Sequence, residues 1–444
     1  MVLVFFLFRL HVSAGRISGV VVFYLVLAGI YLLFFLLIRK RQAKTSVLLF
    51  SILFGTGLIC RLMLFGLSPE VLSDDVYRYL WDGKVQNAGI NPYLYAPDDP
   101  LLAPLQNDSN FKLINHPELP TSYPPLAQHF FRLLYSVAGW NVDGVRLVYL
   151  ALDLFCFILI FQMTGRRITG FLYWLSPLVV IETALGLHID ILGAALMVCT
   201  LWFLTKRRIY PALACFAASV LTKYIFLAAA PVLLAWYAAT GFSEKGFSTF
   251  RKTADIGLKI AVFAAVIVCI SLPFLKAGRL LFQQLVFYIE YWEFNAPFYS
   301  LLRHIFPHSH VYIRGALLAA GTVTIACIKK LTLYDRIRLS ILLLLLLNGV
   351  LYPWYLLWLV PFFAFGDRWG ELALISIIPI SYSVLIGYKA SGVWMENRLI
   401  TAVQYIPFLL FFIIDIWKGH YVQREKNRGN YSGPQRGRFT TGGS

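Results

Sequence analysis

Charge is scarce in this sequence. Asp, Glu, Lys and Arg make up 14% of its 444 residues, well short of the roughly 25% typical of a soluble globular domain. That excludes a chain whose whole surface is hydrated. Cysteine is sparse as well: Cys60, Cys156, Cys199, Cys215, Cys269 and Cys327 fall singly within apolar segments, with no Cys-x-x-Cys and no ligand spacing. They give no disulfide framework, redox motif or zinc site, and packing is their expected role. Carboxylates are outnumbered, 22 against 39 Lys and Arg. Such an excess can mark a nucleic-acid binder, but these basic residues lie in short clusters between hydrophobic runs. No nucleic-acid partner is expected, and the clusters act as topology signals.

What the chain does have is apolar sequence. Hydrophobic residues account for 59%, in stretches of about 20 that recur from end to end, the length needed to cross a bilayer. The expected fold is all-α, a polytopic integral membrane protein.

Met1 to Leu10 is apolar but too short to span and shows no clear cleavage site, so no N-terminal processing is expected. Ser18 to Ile38 is the first span, and Arg39, Lys40, Arg41 and Lys44 place its end in the cytoplasm. Val47 to Gly66 crosses outward, which makes Leu67 to Pro125 extracytoplasmic. Leu126 to Ala138, interrupted by Gln128, His129 and Arg132, reads as a re-entrant or interfacial helix. Val145 to Met163, Ile168 to Thr183 and Ile189 to Thr205 alternate in direction, with Arg166-Arg167 and Lys206 to Arg208 at inner turns. Tyr210 to Leu221 and Tyr224 to Ala239 form a hairpin with Lys223 at its outer turn, before a cytoplasmic loop with Lys245, Arg251 and Lys252. Ile256 to Leu275 crosses outward, Lys276 to His310 is a second outer segment, and Val311 to Ile328 returns to Lys329-Lys330. The run Leu339 to Phe365 is split into two short crossings that turn near Pro353. Glu371 to Tyr388 and Leu399 to Trp417 complete about 13 crossings. The membrane domain is thus 1–417, and the basic tail 418–444 is expected to be cytoplasmic and disordered.

The stretch LSDDVYRYLWDGKVQNAGINPYLY, Leu72 to Tyr95, stands out within the first outer loop. Ser73 is suited to cap a helix whose stripe Val76, Tyr79, Leu80 and Trp81 could rest on a membrane, and Gly89 with Asn91-Pro92 stops it. Asp74 and Asp75 occupy its first turn, where carboxylates also occur simply for the helix dipole. Asp82 returns seven residues after Asp75 on about the same side.

The other unusual polar groups fall on the same outer side: Glu182 at the end of one span, His188 and Asp190 at the start of the next, and Lys223. Ionisable groups at membrane depth are costly unless paired or facing a wet cavity, so each is a site candidate. Tyr352-Pro353-Trp354-Tyr355 lies there too. Asp153 and Asp415 are expected to make interhelical polar contacts, and His116 with Glu118 is a weak match to a metal-ligand pair.

Outside the cytoplasm there is no nucleotide sugar, so an enzyme there must take an activated group from a lipid carrier, and a polyprenyl-phosphate sugar fits. Transfer needs a carboxylate to accept a hydroxyl proton, a cation for the leaving phosphate and a greasy groove for the chain. Asp74 or Asp75, Lys223 and the aromatic-lined bundle supply these.

Six segments together resemble the GT-C polytopic glycosyltransferases, and within them the bacterial polyprenyl-phosphate-dependent mannosyltransferases: SDDVYRYLWDGKVQNAGINPYLYAPDDP from Ser73, INHPELPTSYPP from Ile114, SPLVVIETALGLHID from Ser176, LTKYIFLAAAP from Leu221, YWEFNAPFYSLL from Tyr291 and YPWYLLWLVPF from Tyr352. The resemblance implies a multi-pass protein of the bacterial cytoplasmic membrane that transfers a mannose-like hexose, with inversion, from a polyprenyl-phosphate sugar to a glycolipid or glycan. It makes Asp74 or Asp75 the catalytic base. Glu182, His188 and Asp190 would form the acceptor or catalytic wall, and Lys223 would contact the donor phosphate. Asp82, Tyr123, Asn295, Tyr352 and Trp354, within the same motifs, are further substrate-binding candidates. No metal site is complete, so metal-independent transfer is expected. We expect no soluble domain after the last span, which leaves acceptor binding to the two outer loops. The rival is a lipid-linked-sugar transporter or flippase, but the polar groups gather at one face instead of the midplane and no repeat relates the two halves. A purely structural protein would not need the acids, the His-Asp pair and the lysine on one side.

Overall fold

Long apolar runs have no way to satisfy their backbone in lipid except as helices, and helices are what the chain forms. The computed structural model describes residues 1–39, 41, 44–240 and 249–418. Lys40, Lys245 and the tail beyond Lys418 lie outside them. Among the described residues six helices are long and apolar enough to cross a membrane: Ile17–Ile38, Val142–Met163, Thr253–Ala277, His310–Cys327, Trp369–Ser391 and Arg398–Trp417. Shorter apolar helices include Val47–Leu62, Asp190–Thr205 and Ile209–Thr222. No strand occurs among the described residues, which contain two isolated bridges, Lys44 to Arg167 and Phe294 to Val350. The protein is an all-α polytopic membrane protein. Thr253–Ala277 and His310–Cys327 bury only 11% of their apolar windows in protein, leaving side chains such as Val268 and Val323 to face lipid.

Two of the basic clusters, those around Arg39 and Arg166, meet at one end of the bundle. Arg39 lies 3.3 Å from Asp367 and over the Trp369 ring at 4.6 Å, and the Thr45 N–H donates to the Arg166 carbonyl at 3.0 Å. From this end Ile17–Ile38 and Trp369–Ser391 run antiparallel, with Phe35 against Trp369 at 5.5 Å and Tyr24 stacked on Tyr382 at 6.5 Å.

Several expected spans are broken, and the breaks build the site. The run Ile168 to Thr183, expected as one crossing, consists of a turn Ile168–Gly170, one helical turn Phe171–Trp174 and a helix Pro177–Ala184. Pro177 has no N–H to donate and its ring clashes with the preceding turn, so the helix restarts there. Helix Ile209–Thr222 stops at Lys223, which is extended at φ −149 and ψ 125. Helix Leu333–Leu347 ends before Asn348, and beyond the expected break the chain winds into two tight 3-10 segments, Pro353–Trp358 and Val360–Phe365.

Buried polar contacts lock the helices laterally. Asp153 pairs with Arg61 at 2.6 Å, and the guanidinium lies 3.7 Å over the Trp174 ring. Asp415 accepts from the Gly370 N–H at 3.0 Å. Both are the interhelical contacts expected. The cysteines are less solitary than their spacing suggests: the Cys199 and Cys215 thiols approach to 3.5 Å across adjacent helices.

Candidate active site

The acidic pair sits at the start of helix Asp75–Asn87, with Asp74 at the cap position. The expected cap, Ser73, acts one residue early: its Oγ accepts from the Asp75 N–H at 3.3 Å. The apolar stripe of this helix does not rest on a membrane, for Val76, Tyr79 and Leu80 are all 0% exposed within the protein. It packs on helix Pro125–Ala138, the segment expected to be re-entrant or interfacial, with Tyr79 stacked on Phe131 at 4.5 Å. Gly83 makes this approach possible, since a Cβ there would come within 2.2 Å of the Phe131 carbonyl oxygen. Asp82 belongs to the same joint. It accepts from Arg78 at 3.1 Å and Gln128 at 2.9 Å, buried away from the cavity lining.

Asp74 and Asp75 open into a cavity of ≈ 1380 Å³ whose wall also holds Tyr123, Lys223, Tyr352 and Trp354. Asn115 Nδ2 donates to both acids, at 3.0 Å to Asp74 and 2.9 Å to Asp75. The two carboxyls nevertheless differ. Desolvation, and next the charge of Asp75, push Asp74 above its ordinary value. Asp75 is desolvated too, but contacts with His188, the Lys223 charge and the Asn115 amide outweigh that and hold it below the ordinary carboxylate value. At neutral pH Asp75 is a carboxylate.

Behind Asp75 lies a fully buried row. His188 Nδ1 is 3.5 Å from Asp75 Oδ2, and its Nε2 is 3.4 Å from Glu182 Oε2. These are ion-pair separations, and neither ring nitrogen has a well-aligned hydrogen bond. Burial pushes the imidazole down, but the two carboxylates outweigh it and raise His188 to about 9. Glu182 accepts from Tyr24 at 3.0 Å and from Tyr382 at 2.9 and 3.0 Å. The chain reaches His188 through Leu187 at φ 55, a left-handed conformation that costs a branched residue energy and is held here by burial. At Gly186 a Cβ would meet the His188 ring at 2.7 Å. The ring stacks on Trp354 at 3.9 Å, and Trp354 on Tyr352 at 4.3 Å.

Lys223 completes the wall. Its Nζ bonds both Asp190 oxygens, at 2.8 and 3.0 Å, and lies over the Tyr355 ring at 4.5 Å. Asn295 is placed elsewhere. At φ 51 it donates to the Leu351 carbonyl at 3.3 Å and to Gln404 at 2.8 Å, bracing the extended chain after Leu347. His116 and Glu118 are 3.2 Å apart at the exposed rim, and among the described residues no group of three metal-ligating side chains forms. Sequence reasoning missed Asn115, Tyr24 and Tyr382, all at this site.

The arrangement unites an ionised carboxylate, a cation and an aromatic wall in one cavity. The N-terminal-domain model of the alpha-(1->6)-mannopyranosyltransferase family matches residues 7–240, more than half of the 444. The chain belongs to this family. It is therefore a glycosyltransferase of mannosyltransferase type. No curated protein and no solved structure matches it. The matched region of this mannosyltransferase holds Asp74, Asp75, Glu182, His188, Asp190 and Lys223, whereas Tyr352, Trp354 and Tyr382 come from the part that follows.

Proposed function

We propose that this mannosyltransferase, of the GT-C type, moves a mannose-class hexose from a polyprenyl-phosphate sugar to a hydroxyl of a glycolipid or glycan. Asp75 is the base: it takes the acceptor proton as the hydroxyl oxygen bonds to the anomeric carbon and the bond to phosphate breaks, releasing polyprenyl phosphate. The observation that carries this reading is the Asp75 carboxylate, kept ionised by His188 and Lys223 at the wall of a cavity that is largely aromatic and apolar. Asp74, whose carboxyl binds a proton more readily, is suited to hydrogen-bond the acceptor. Inversion at the anomeric carbon turns a β-linked donor into the α-(1→6) linkage that the family description names. Basic clusters at the opposite end support an active site on the extracytoplasmic face of a bacterial cytoplasmic membrane.

The test is transfer from radiolabelled polyprenyl-phosphate mannose in membranes carrying the protein, with the released product's anomeric configuration read by linkage-specific mannosidases. Labelled α-linked product, unaffected by chelator, is expected. Label that crosses the membrane while still on its lipid would replace this reading with translocation.

A further inference from the structure

The cavity has four Lys or Arg side chains in its wall, Arg78, Lys223, Arg314 and Lys389, and their engagements differ. Arg78 donates to Asp82 at 3.1 Å and to the carbonyls of His116 and Leu119 at 3.2 and 2.8 Å. Lys223 is neutralised by Asp190 at 2.8 Å. Lys389 is exposed to solvent. Arg314 has neither a carboxylate nor a hydrogen-bond partner among the described residues, and its Nη1 is buried without one. Its guanidinium carbon lies 5.2 Å from the centre of the Tyr299 ring.

Such an arginine needs a reason. It lies on His310–Cys327, a helix apolar enough to span the membrane, where an unpaired charge is expensive and points to a ligand. Val311, Arg314, Gly315 and Leu318 recur at helical spacing and all line the cavity, so one stripe of the helix faces it. A Cβ added to Gly315 would meet nothing within 4 Å, so the stripe leaves open space. Leu285, Leu344 and Leu347 add apolar surface to the same cavity wall. A lone, donor-rich, planar cation in a greasy groove fits an anionic headgroup carrying a hydrocarbon chain. Arginine supplies forked donors to phosphate oxygens where lysine offers a point charge.

We propose that Arg314 is the phosphate clamp for an amphiphilic phosphate ester whose chain lies along the Val311–Leu318 stripe. This rests on the lipid-phosphate donor proposed above. Because Lys223 is spent on Asp190, Arg314 supplies the uncompensated positive charge that the leaving phosphate requires.

The experiment is ligand-induced thermal stabilisation of the full-length protein in detergent, titrated with polyprenyl monophosphate, the matching uncharged polyprenol, phosphatidylglycerol and inorganic phosphate. Wild type is expected to bind polyprenyl phosphate more tightly than polyprenol. Arg314→Gln weakens polyprenyl phosphate by roughly 10- to 100-fold, the range for a charged hydrogen-bonded contact, and leaves polyprenol unchanged. Arg314→Lys restores part of the difference. Lys330→Gln, at an exposed position outside the cavity lining, binds as wild type and controls for general charge loss. Equal affinity in wild type and Arg314→Gln overturns the clamp and leaves the donor reading standing. Wild type that does not distinguish polyprenyl phosphate from polyprenol overturns both. Protection by phosphatidylglycerol or inorganic phosphate that matches polyprenyl phosphate also overturns it, assigning Arg314 to bilayer headgroups or to free anion. Binding through Arg314 without any sugar transfer would sink the donor reading alone.

Discussion

Replacing His188 by Gln removes a cation held between two carboxylates while leaving a side chain of similar reach. At the 3.5 Å separation from Asp75, with an effective dielectric constant of about 20, the attraction is roughly 5 kcal/mol before desolvation. Burial of the ring takes back part of that. The net effect is visible in the rise of His188 from 6.5 to about 9, which corresponds to about 3 kcal/mol at about 1.4 kcal/mol per pH unit. The sign follows from the direction. A histidine whose folded value exceeds its unfolded one contributes its full stabilisation below pH 6.5 and loses it as pH rises through about 9. Lost stacking on Trp354 lowers stability equally at every pH, so the difference across the window isolates the charge. Thermal midpoints of solubilised wild type and His188→Gln, measured across this window, should converge as pH rises. In the variant Asp75 loses its first counter-charge while its burial persists, so the acid limb of the transfer rate moves to higher pH. Parallel midpoint curves and an unmoved acid limb would refute the ionic role of His188.

Two further substitutions probe the scaffold. Gly83→Ala improves helix propensity by up to about 1 kcal/mol, but its Cβ would lie 2.2 Å from a backbone oxygen. Overpacking of about 1 to 3 kcal/mol should win, with a lower thermal midpoint and slower transfer because Asp75 shifts with its helix. Asp153→Ala strands the buried Arg61 charge and should cost about 3 to 5 kcal/mol, whereas the double change Arg61→Met with Asp153→Leu should recover most of it. Chemical unfolding of the two variants side by side checks this, and equal losses would show that the charge is not the cause.

Much of the site could be read from the residue pattern because intramembrane ionisable groups are rare and each demands a partner. Asp74, Asp75 and Lys223 line one cavity, and Glu182, His188 and Asp190 stand directly behind it. Partners far apart in the chain were not legible. The Tyr24 and Tyr382 bonds to Glu182 span 158 and 200 residues, and tyrosine in an apolar run carries no mark of which face it takes. The stripe on helix Asp75–Asn87 was assigned to lipid because lipid and the face of another helix are equally apolar to periodicity. Asp82 had an available signal: Arg78, four residues earlier on the same helix, is its ion-pair partner. Arg314 had one as well, as an arginine within an apolar run. Pro353 marked the start of a 3-10 segment, beyond the helix end at Leu347, while Pro177 was read through because the residues on both sides of it are apolar.

The central claim is that Asp75, and not its neighbour, accepts the proton. The direct measurement is the rate of mannose transfer from the polyprenyl-phosphate donor by Asp75→Asn and Asp74→Asn, each at matched levels of folded protein. Removing a general base lowers the rate by about 10²- to 10⁴-fold, so Asp75→Asn should fall by that much while Asp74→Asn keeps most of its rate and loses acceptor affinity. Full transfer by Asp75→Asn, or collapse of Asp74→Asn alone, would contradict the account.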